Sequence, residues 1–430
     1  MGASRHDNKV TIVDMKRLVI PLLILSMLGS RPAAAQDDSP LLTLKEAVDI
    51  ALKINPSIRK MEALIEGKAV EWKTATGLSD PEISYAREGI SAIDPMPFSE
   101  QRFAIQQEFD FPLTTFYRLK RILNEKQARE KELEALRREV TVKVKSYYAE
   151  IISANYYRKL RADVYKLTQE LVGAVRLRVE SGVGTYIDQL SSELRLTQAE
   201  NEQYEAERVF HEARYRLFNY MGLNPDEQRY DINFQDTLRT HNELIEQEVA
   251  LYTLESQPLY QSAKALVTAS GFGIREARSG YLPDIRVGYL AQDFGTGYHF
   301  RGLETGLRIP LWGLLTVDGE VKQAQSIQKQ NLWEQKSIEL TIKEKIELAW
   351  HGYDNSQVTI HLYQTQLRDK SEKLLELTRE AYRLGQIDLL KLIEAQQLFL
   401  TSQEKYYDAL RNYYLRLIEL EQFVNQELVY

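Results

Sequence analysis

The sequence predicts a mostly α fold with a small β part: long coiled-coil helical hairpins plus four strands per protomer. Three observations predict it. No proline occurs from Leu113 to Asn224, nor from Leu311 to Tyr430. Proline inside a helix costs about 3 kcal/mol, so these two stretches are where long helices can form. Within them apolar residues recur at steps of three and four, and just before each of them apolar and polar residues alternate with period two.

Composition excludes several classes. The 430 residues are 27% charged, and beyond the leader no run approaches the roughly 18 apolar residues of a spanning helix, which excludes a polytopic helical membrane protein. A net charge of −7 argues against a nucleic-acid partner, whose footprint is a basic face. With no cysteine, a disulfide scaffold, a thiolate zinc site, a cysteine nucleophile and a lipidated cysteine anchor are all excluded.

The N-terminus reads as an address. Met15-Lys16-Arg17 is basic, Leu18 to Leu28 is apolar, and Ala33-Ala34-Ala35 is a small-residue cleavage site. Residues 1–35 are therefore an N-terminal extension and signal peptide, and the mature chain is an exported one. The rival reading is a buried N-terminal helix.

The first long stretch carries Leu133, Leu136, Val140, Val144, Tyr147 and Ile151 on one helical stripe. The second carries Leu374, Leu377, Ala381 and Leu384, then Leu410, Tyr413, Leu417, Leu420 and Val424. Ser181-Gly182-Val183-Gly184 breaks the first and Leu384-Gly385-Gln386 the second, each a helix C-cap signal. Two hairpins follow: about 114–181 with 186–221, and about 316–384 with 388–426. A 69-residue helix spans about 100 Å at ~1.5 Å per residue, so the molecule is elongated.

Ahead of the first hairpin, Phe103, Ile105, Phe109 and Phe111 alternate with polar residues; ahead of the second, Leu303, Leu307 and Ile309 do the same. Ile83-Ser84-Tyr85 and Ile285 to Tyr289 are shorter versions. A half-buried sheet over a soluble core and a lipid-facing barrel both show this pattern. On the barrel reading the apolar set faces lipid, and Glu108, Asp110, Glu304 and Arg308 face a lumen.

The chain also repeats itself at an offset of about 200 residues. Asn55-Pro56 answers Gln257-Pro258, each placed inside an amphipathic helix; Phe111-Pro112-Leu113 answers Ile309-Pro310-Leu311; Gly182 answers Gly385. Residues 36–222 and 223–430 are thus two copies of one plan: helix, two strands, long helical hairpin. Four strands cannot close a barrel alone, and open edges are costly in lipid. Three copies would supply twelve strands, within the known range.

The leader, the opening Leu42-Thr43-Leu44-Lys45-Glu46-Ala47-Val48, the strand pairs ending in Pro-Leu and the tip Tyr382-Arg383-Leu384-Gly385 together resemble the TolC family of outer-membrane factors. The spelling Gly385-Gln386-Ile387-Asp388-Leu389-Leu390 is most similar to its heavy-metal efflux branch. The resemblance implies a homotrimer with a 12-stranded β-barrel in the outer membrane, joined to a periplasmic α-helical barrel. It implies a passive exit duct for tripartite efflux or type I secretion, working with a periplasmic adaptor (membrane fusion) protein and an inner-membrane pump. No cofactor, metal or catalytic residue is implied. A soluble periplasmic coiled-coil scaffold or adaptor is the alternative.

Other motifs carry less. Gly182-Val183-Gly184 and Gly271-Phe272-Gly273 lack the third glycine of a dinucleotide loop, and the six histidines include no HExxH. No nucleophile–base arrangement points to an enzyme. The 25 tyrosines sit mostly in the helical stretches, which favours helix packing over a membrane girdle.

The resemblance also carries a gate and a docking site. Gly182, Val183, Gly184, Leu384 and Gly385 become adaptor-docking tips, where small residues admit a partner backbone. Acidic aperture residues are implied six and nine positions after Gly385. Glu394 fits the ninth, but Lys391 stands at the sixth and can pair with Glu394, with Asp388 nearby as a substitute. Tyr382 and Asp188 match the family's closing latch, whereas Ile387 stands where a basic latch residue is implied.

Overall fold

A computed structural model describes residues 41–90, 98–224, 231–232, 253–295, 297–424 and 427–430. The leader and most of the segment joining the two halves lie outside the described residues. The first half runs β1 (Leu41–Leu42), α1 (Leu44–Ile54), α2 (Pro56–Val70), β2 (Glu82–Glu88), β3 (Glu100–Phe109), α3 (Pro112–Glu180) and α4 (Tyr186–Met221). The second runs β4 (Asp231–Ile232), α5 (Pro258–Ser279), β5 (Asp284–Asp293), β6 (His299–Arg308), α6 (Gly313–Leu362), a π-helical turn (Tyr363–Arg368), α7 (Asp369–Arg383) and α8 (Leu389–Glu421). The 69 residues of α3 form one unbroken helix.

Pro56 and Pro258 do not lie inside helices, contrary to the expectation from the repeat; each is the first residue of one. Proline has no N–H to give to a preceding turn, but the first helical position needs none, so the chain breaks just before it. The two breaks are locked alike. Asn55 accepts the N–H groups of Ser57 and Ile58 through Oδ1, and its Nδ2 donates to the Tyr220 carbonyl at 2.7 Å. Gln257 Nε2 donates to the Phe423 carbonyl at 2.9 Å. Both amides are buried, and each reaches back to the end of the returning helix of its own half.

β2, β3, β5 and β6 form one antiparallel sheet in that order. Its register puts Ile83, Ile105, Tyr289 and Leu303 in one row, with the row Tyr85, Phe103, Ala291 and Arg301 on the same face. The opposite face carries the row Glu82, Gln106, Gly288 and Glu304. On that face the Arg308 guanidinium lies 2.9 Å from Glu108 and 2.8 Å from Asp284. The two outer strands, β2 and β6, have no partner on their outer edges among the described residues.

Two cores hold the helices. The larger gathers Val140, Val144, Tyr148 and Ile151 of α3, Leu217 and Phe218 of α4, Ile346 of α6 and Leu417 of α8. The smaller, toward the hairpin tips, gathers Leu171 and Val175 with Leu375, Tyr382, Leu389 and Leu392. Between them lie polar and aromatic contacts beside a few buried aliphatic side chains such as Leu160 and Leu400. Arg161 bridges Glu202 and Glu404, and Tyr156 stacks on Tyr407 with centroids 5.2 Å apart. Tyrosines here pack helix on helix, as their positions predict.

Two helical expectations need correction. The helix read as continuous over 316–384 is interrupted by the π turn, where Arg368 stands 4.8 Å above the Tyr406 ring. The stripe Leu374, Leu377 and Leu384 is exposed; Ser371, Leu375 and Tyr382 face the core instead. Both stripes have helical spacing, and the single copy buries only one of them.

Candidate functional site: hairpin tips and the two-faced sheet

Both hairpins turn on a glycine in the left-handed region, Gly182 at φ 75° and Gly385 at φ 72°. That conformation lets the Val183 N–H reach the Arg178 carbonyl and the Gln386 N–H reach the Ala381 carbonyl, both at 2.9 Å. A Cβ on Gly182 or Gly385 would meet nothing within 4 Å, whereas one on Gly184 would crowd Val179 at 3.0 Å. Gly182 and Gly385 are therefore open to an approaching backbone, and Gly184 is committed to its own hairpin. Val183 and Leu384 are exposed beside them.

The return helices start differently. Thr185 and Asp188 form a reciprocal capping box: the Asp188 carboxylate accepts from the Thr185 N–H at 3.1 Å and hydroxyl at 2.8 Å. Asp388 is itself the cap of α8, accepting the Lys391 N–H at 3.0 Å.

The structure brings some of the expected gate residues together and not others. Tyr382 is buried under Arg178, whose guanidinium lies 4.8 Å from the ring and donates to the Tyr382 carbonyl at 3.2 Å. Burial pushes the Tyr382 phenol above its ordinary pKa; Arg178 opposes this and the nearby Asp188 charge adds to it. No hydrogen bond joins Tyr382 to Asp188 among the described residues, because the Asp188 carboxylate is held by Thr185. Lys391 and Glu394 form no ion pair among the described residues. Instead both line a shallow groove of about 510 Å³ along α7 and α8, with Leu374, Leu377, Ala381 and Leu398.

Sequence reasoning missed two features. Arg178 has no motif around it, and only the fold carries it to Tyr382. The ridge Tyr186, Ile187, Leu190 and Leu194 at the start of α4 is exposed, and its helical spacing, steps of three and four from Ile187, was legible.

No family model matches this chain, and no curated protein does. Solved structures do. The outer-membrane protein VceC from Vibrio cholerae aligns with a TM-score of 0.73 at 15% identity, over 89% of this chain and 95% of that one. CusC, described in terms of folding and transmembrane channel formation, aligns with a TM-score of 0.75 at 13% identity, over 93% and 95%. The open state of the MtrE outer-membrane channel of Neisseria gonorrhoeae gives 0.74 at 16% identity, over 89% and 88%. The fold is that of outer-membrane channels built from a small sheet and long helical hairpins. The resemblance to the TolC family thus holds at the level of the fold.

Proposed function

We propose that this chain is an outer-membrane exit duct, a homotrimer that conducts cargo passively across the periplasm and outer membrane. The carrying observation is the sheet: one face mostly apolar, one face charged, and both outer edges unpaired among the described residues. Such a sheet is finished by edge-to-edge pairing of copies, which turns the apolar face to lipid and the charged face to a lumen. The exposed helical stripes support the same assembly. Leu374 and Leu377 on α7, and Ile187 and Leu194 on α4, are apolar ridges that a single copy leaves in water. Structural neighbours described as outer-membrane channels support the location.

The remaining parts of the reading follow from it. The divisions 36–222 and 223–430 are the two repeats, and 1–35 the exported leader. Gly182, Val183, Leu384 and Gly385 meet a periplasmic adaptor, which couples the duct to an inner-membrane pump. Tyr382, with Asp188, Asp388, Lys391 and Glu394 around it, narrows the periplasmic end. No step of this function needs catalysis or a cofactor.

A pair of substitutions in neighbouring β6 positions tests the sheet. Leu303→Arg should destabilise the membrane-assembled protein by about 2–4 kcal/mol, while Glu304→Arg should leave assembly intact. The measurement is the heat-resistant oligomer on gels after extraction from membranes. Equal loss in both, or a wild-type protein soluble without detergent, would support the periplasmic scaffold instead.

A further inference from the structure

A groove of about 990 Å³ lies between α3, α5 and the start of α6, just beneath the sheet. Its floor is α5, where Ala269, Gly273 and Ala277 leave room that larger side chains would fill. One wall is apolar: Ile309, Leu311, Trp312 and Ile327. Leu311 is 83% and Trp312 76% exposed, so a large aromatic ring and an aliphatic chain stand at the mouth uncovered among the described residues.

The opposite wall is ionic, and its charges are unequal. Arg118 lies between Asp110 at 2.7 Å and Glu276 at 2.9 Å. Arg121 lies between Glu276 at 2.8 Å and Glu125 at 2.9 Å. Arg308 is likewise held by Glu108 and Asp284. Every guanidinium facing the groove already has two carboxylates, so none is free to receive an anion. The carboxylates Asp110, Glu125, Glu276, Asp284 and Glu320 outnumber those cations, and Glu320 on α6 has no cationic partner among the described residues.

We propose that this groove binds amphiphilic organic cations, with an amine head toward Glu320 and an apolar body against Leu311 and Trp312. Its volume falls within the roughly 300–1,000 Å³ typical of sites for drug-sized molecules. A cation over the Trp312 ring gains further attraction from the aromatic face. A bare metal ion fits poorly, because among the described residues no cluster of His, Asp or Glu could hold one. The ligand chemistry has two sources, an ethanolamine phospholipid of the surrounding leaflet or a cationic amphiphile arriving from solution. Binding is read without transport, so its failure is distinguishable from failure of the duct reading.

The test is a titration of the purified full-length protein, in neutral maltoside micelles, with the cationic dye rhodamine 6G, read by fluorescence anisotropy. Fluorescein is the anionic control. Saturable rhodamine binding is expected, with no saturable fluorescein binding. Glu320→Gln should weaken it about threefold, the scale of one partly exposed charge pair. Trp312→Ala, on an exposed rim that folding does not need, should also weaken it, and Ala277→Trp should abolish it by filling the floor. Equal binding of the two dyes overturns the proposal. So does wild-type affinity in all three variants. Absence of saturable rhodamine binding to the assembled wild type also overturns it, since a neighbouring copy then fills the groove. Mass spectrometry of co-purified lipid settles the source. Ethanolamine phospholipid retained by wild type, lost in Ala277→Trp and displaced by rhodamine identifies the leaflet; equal lipid in both proteins identifies the solution.

Discussion

The two hairpins are copies of one plan, and between their two cores they differ in length by a single residue. In the larger core Val140, Val144 and Ile151 of α3 answer Ile342, Ile346 and Tyr353 of α6 at one constant offset. Toward the tips the offset grows by one: Val172 answers Leu375, Val179 answers Tyr382, and Gly182 answers Gly385. The extra residue enters between these two levels, where the π turn at Tyr363–Arg368 absorbs it. A helix that gained a residue without such a turn would rotate everything beyond it by about 100°, carrying Leu375 and Tyr382 off the core. The second hairpin thus keeps its tip in phase by widening one turn, and the first never needed to.

The sharpest way to break that comparison is to delete one residue at matching heights. Removing Gln366 from the π turn should restore plain α-helix and leave the lower core intact. Removing Asp163 from α3 should rotate Leu171 and Val175 out of that core and expose both hairpin tips to protease. Limited proteolysis of purified protein reads both, and equal resistance of the two deletions would refute the insertion account.

A second contrast concerns charge. Lys145 of α3 is buried, donating to Glu421 at 2.5 Å, to Glu427 at 3.0 Å and to the Val429 carbonyl at 2.6 Å. Glu421 in turn accepts the N–H groups of Leu428 and Val429, so this lysine reels the C-terminal residues into the larger core. The matching residue of the second half, Glu347, is partly exposed and lies 3.8 Å from His351. Lys145→Ala should cost about 3–5 kcal/mol, because it strands buried carboxylate. Glu347→Ala should stay within about 0.5 kcal/mol. Denaturant midpoints of the two variants check this.

The smallest contrast is between the two amide locks. Asn55→Ala loses a helix cap and leaves the Tyr220 carbonyl without its donor, about 2–3 kcal/mol together. Gln257→Ala loses the bond to Phe423 without a cap, about 1–2 kcal/mol. Thermal unfolding should rank Asn55→Ala below Gln257→Ala, and the reverse order would contradict the capping assignment.

Much of this architecture is legible in the sequence because its signals are local. Proline-free stretches, a period of two before Pro112 and Pro310, and a glycine at each tip set the elements to within a few residues. The π turn is hidden because repeat matching at about 200 residues does not register one added residue. The proposed gate is hard to read for another reason. Asp188 reads equally well as latch or cap, and the Thr185 hydroxyl beside it decides which role the single copy shows. Leu374 and Leu377 read as a core stripe, but they are exposed, and the proposed assembly of copies would cover them.

The central claim, that copies of this chain close a water-filled duct through the outer membrane, is tested most directly by adding the purified protein to a planar lipid bilayer. The account predicts stepwise, uniform conductance increments that persist at low voltage and that rise when Tyr382→Phe and Asp188→Ala loosen the periplasmic end. A protein that never inserts, or that inserts without conducting in wild type and double variant alike, would contradict it.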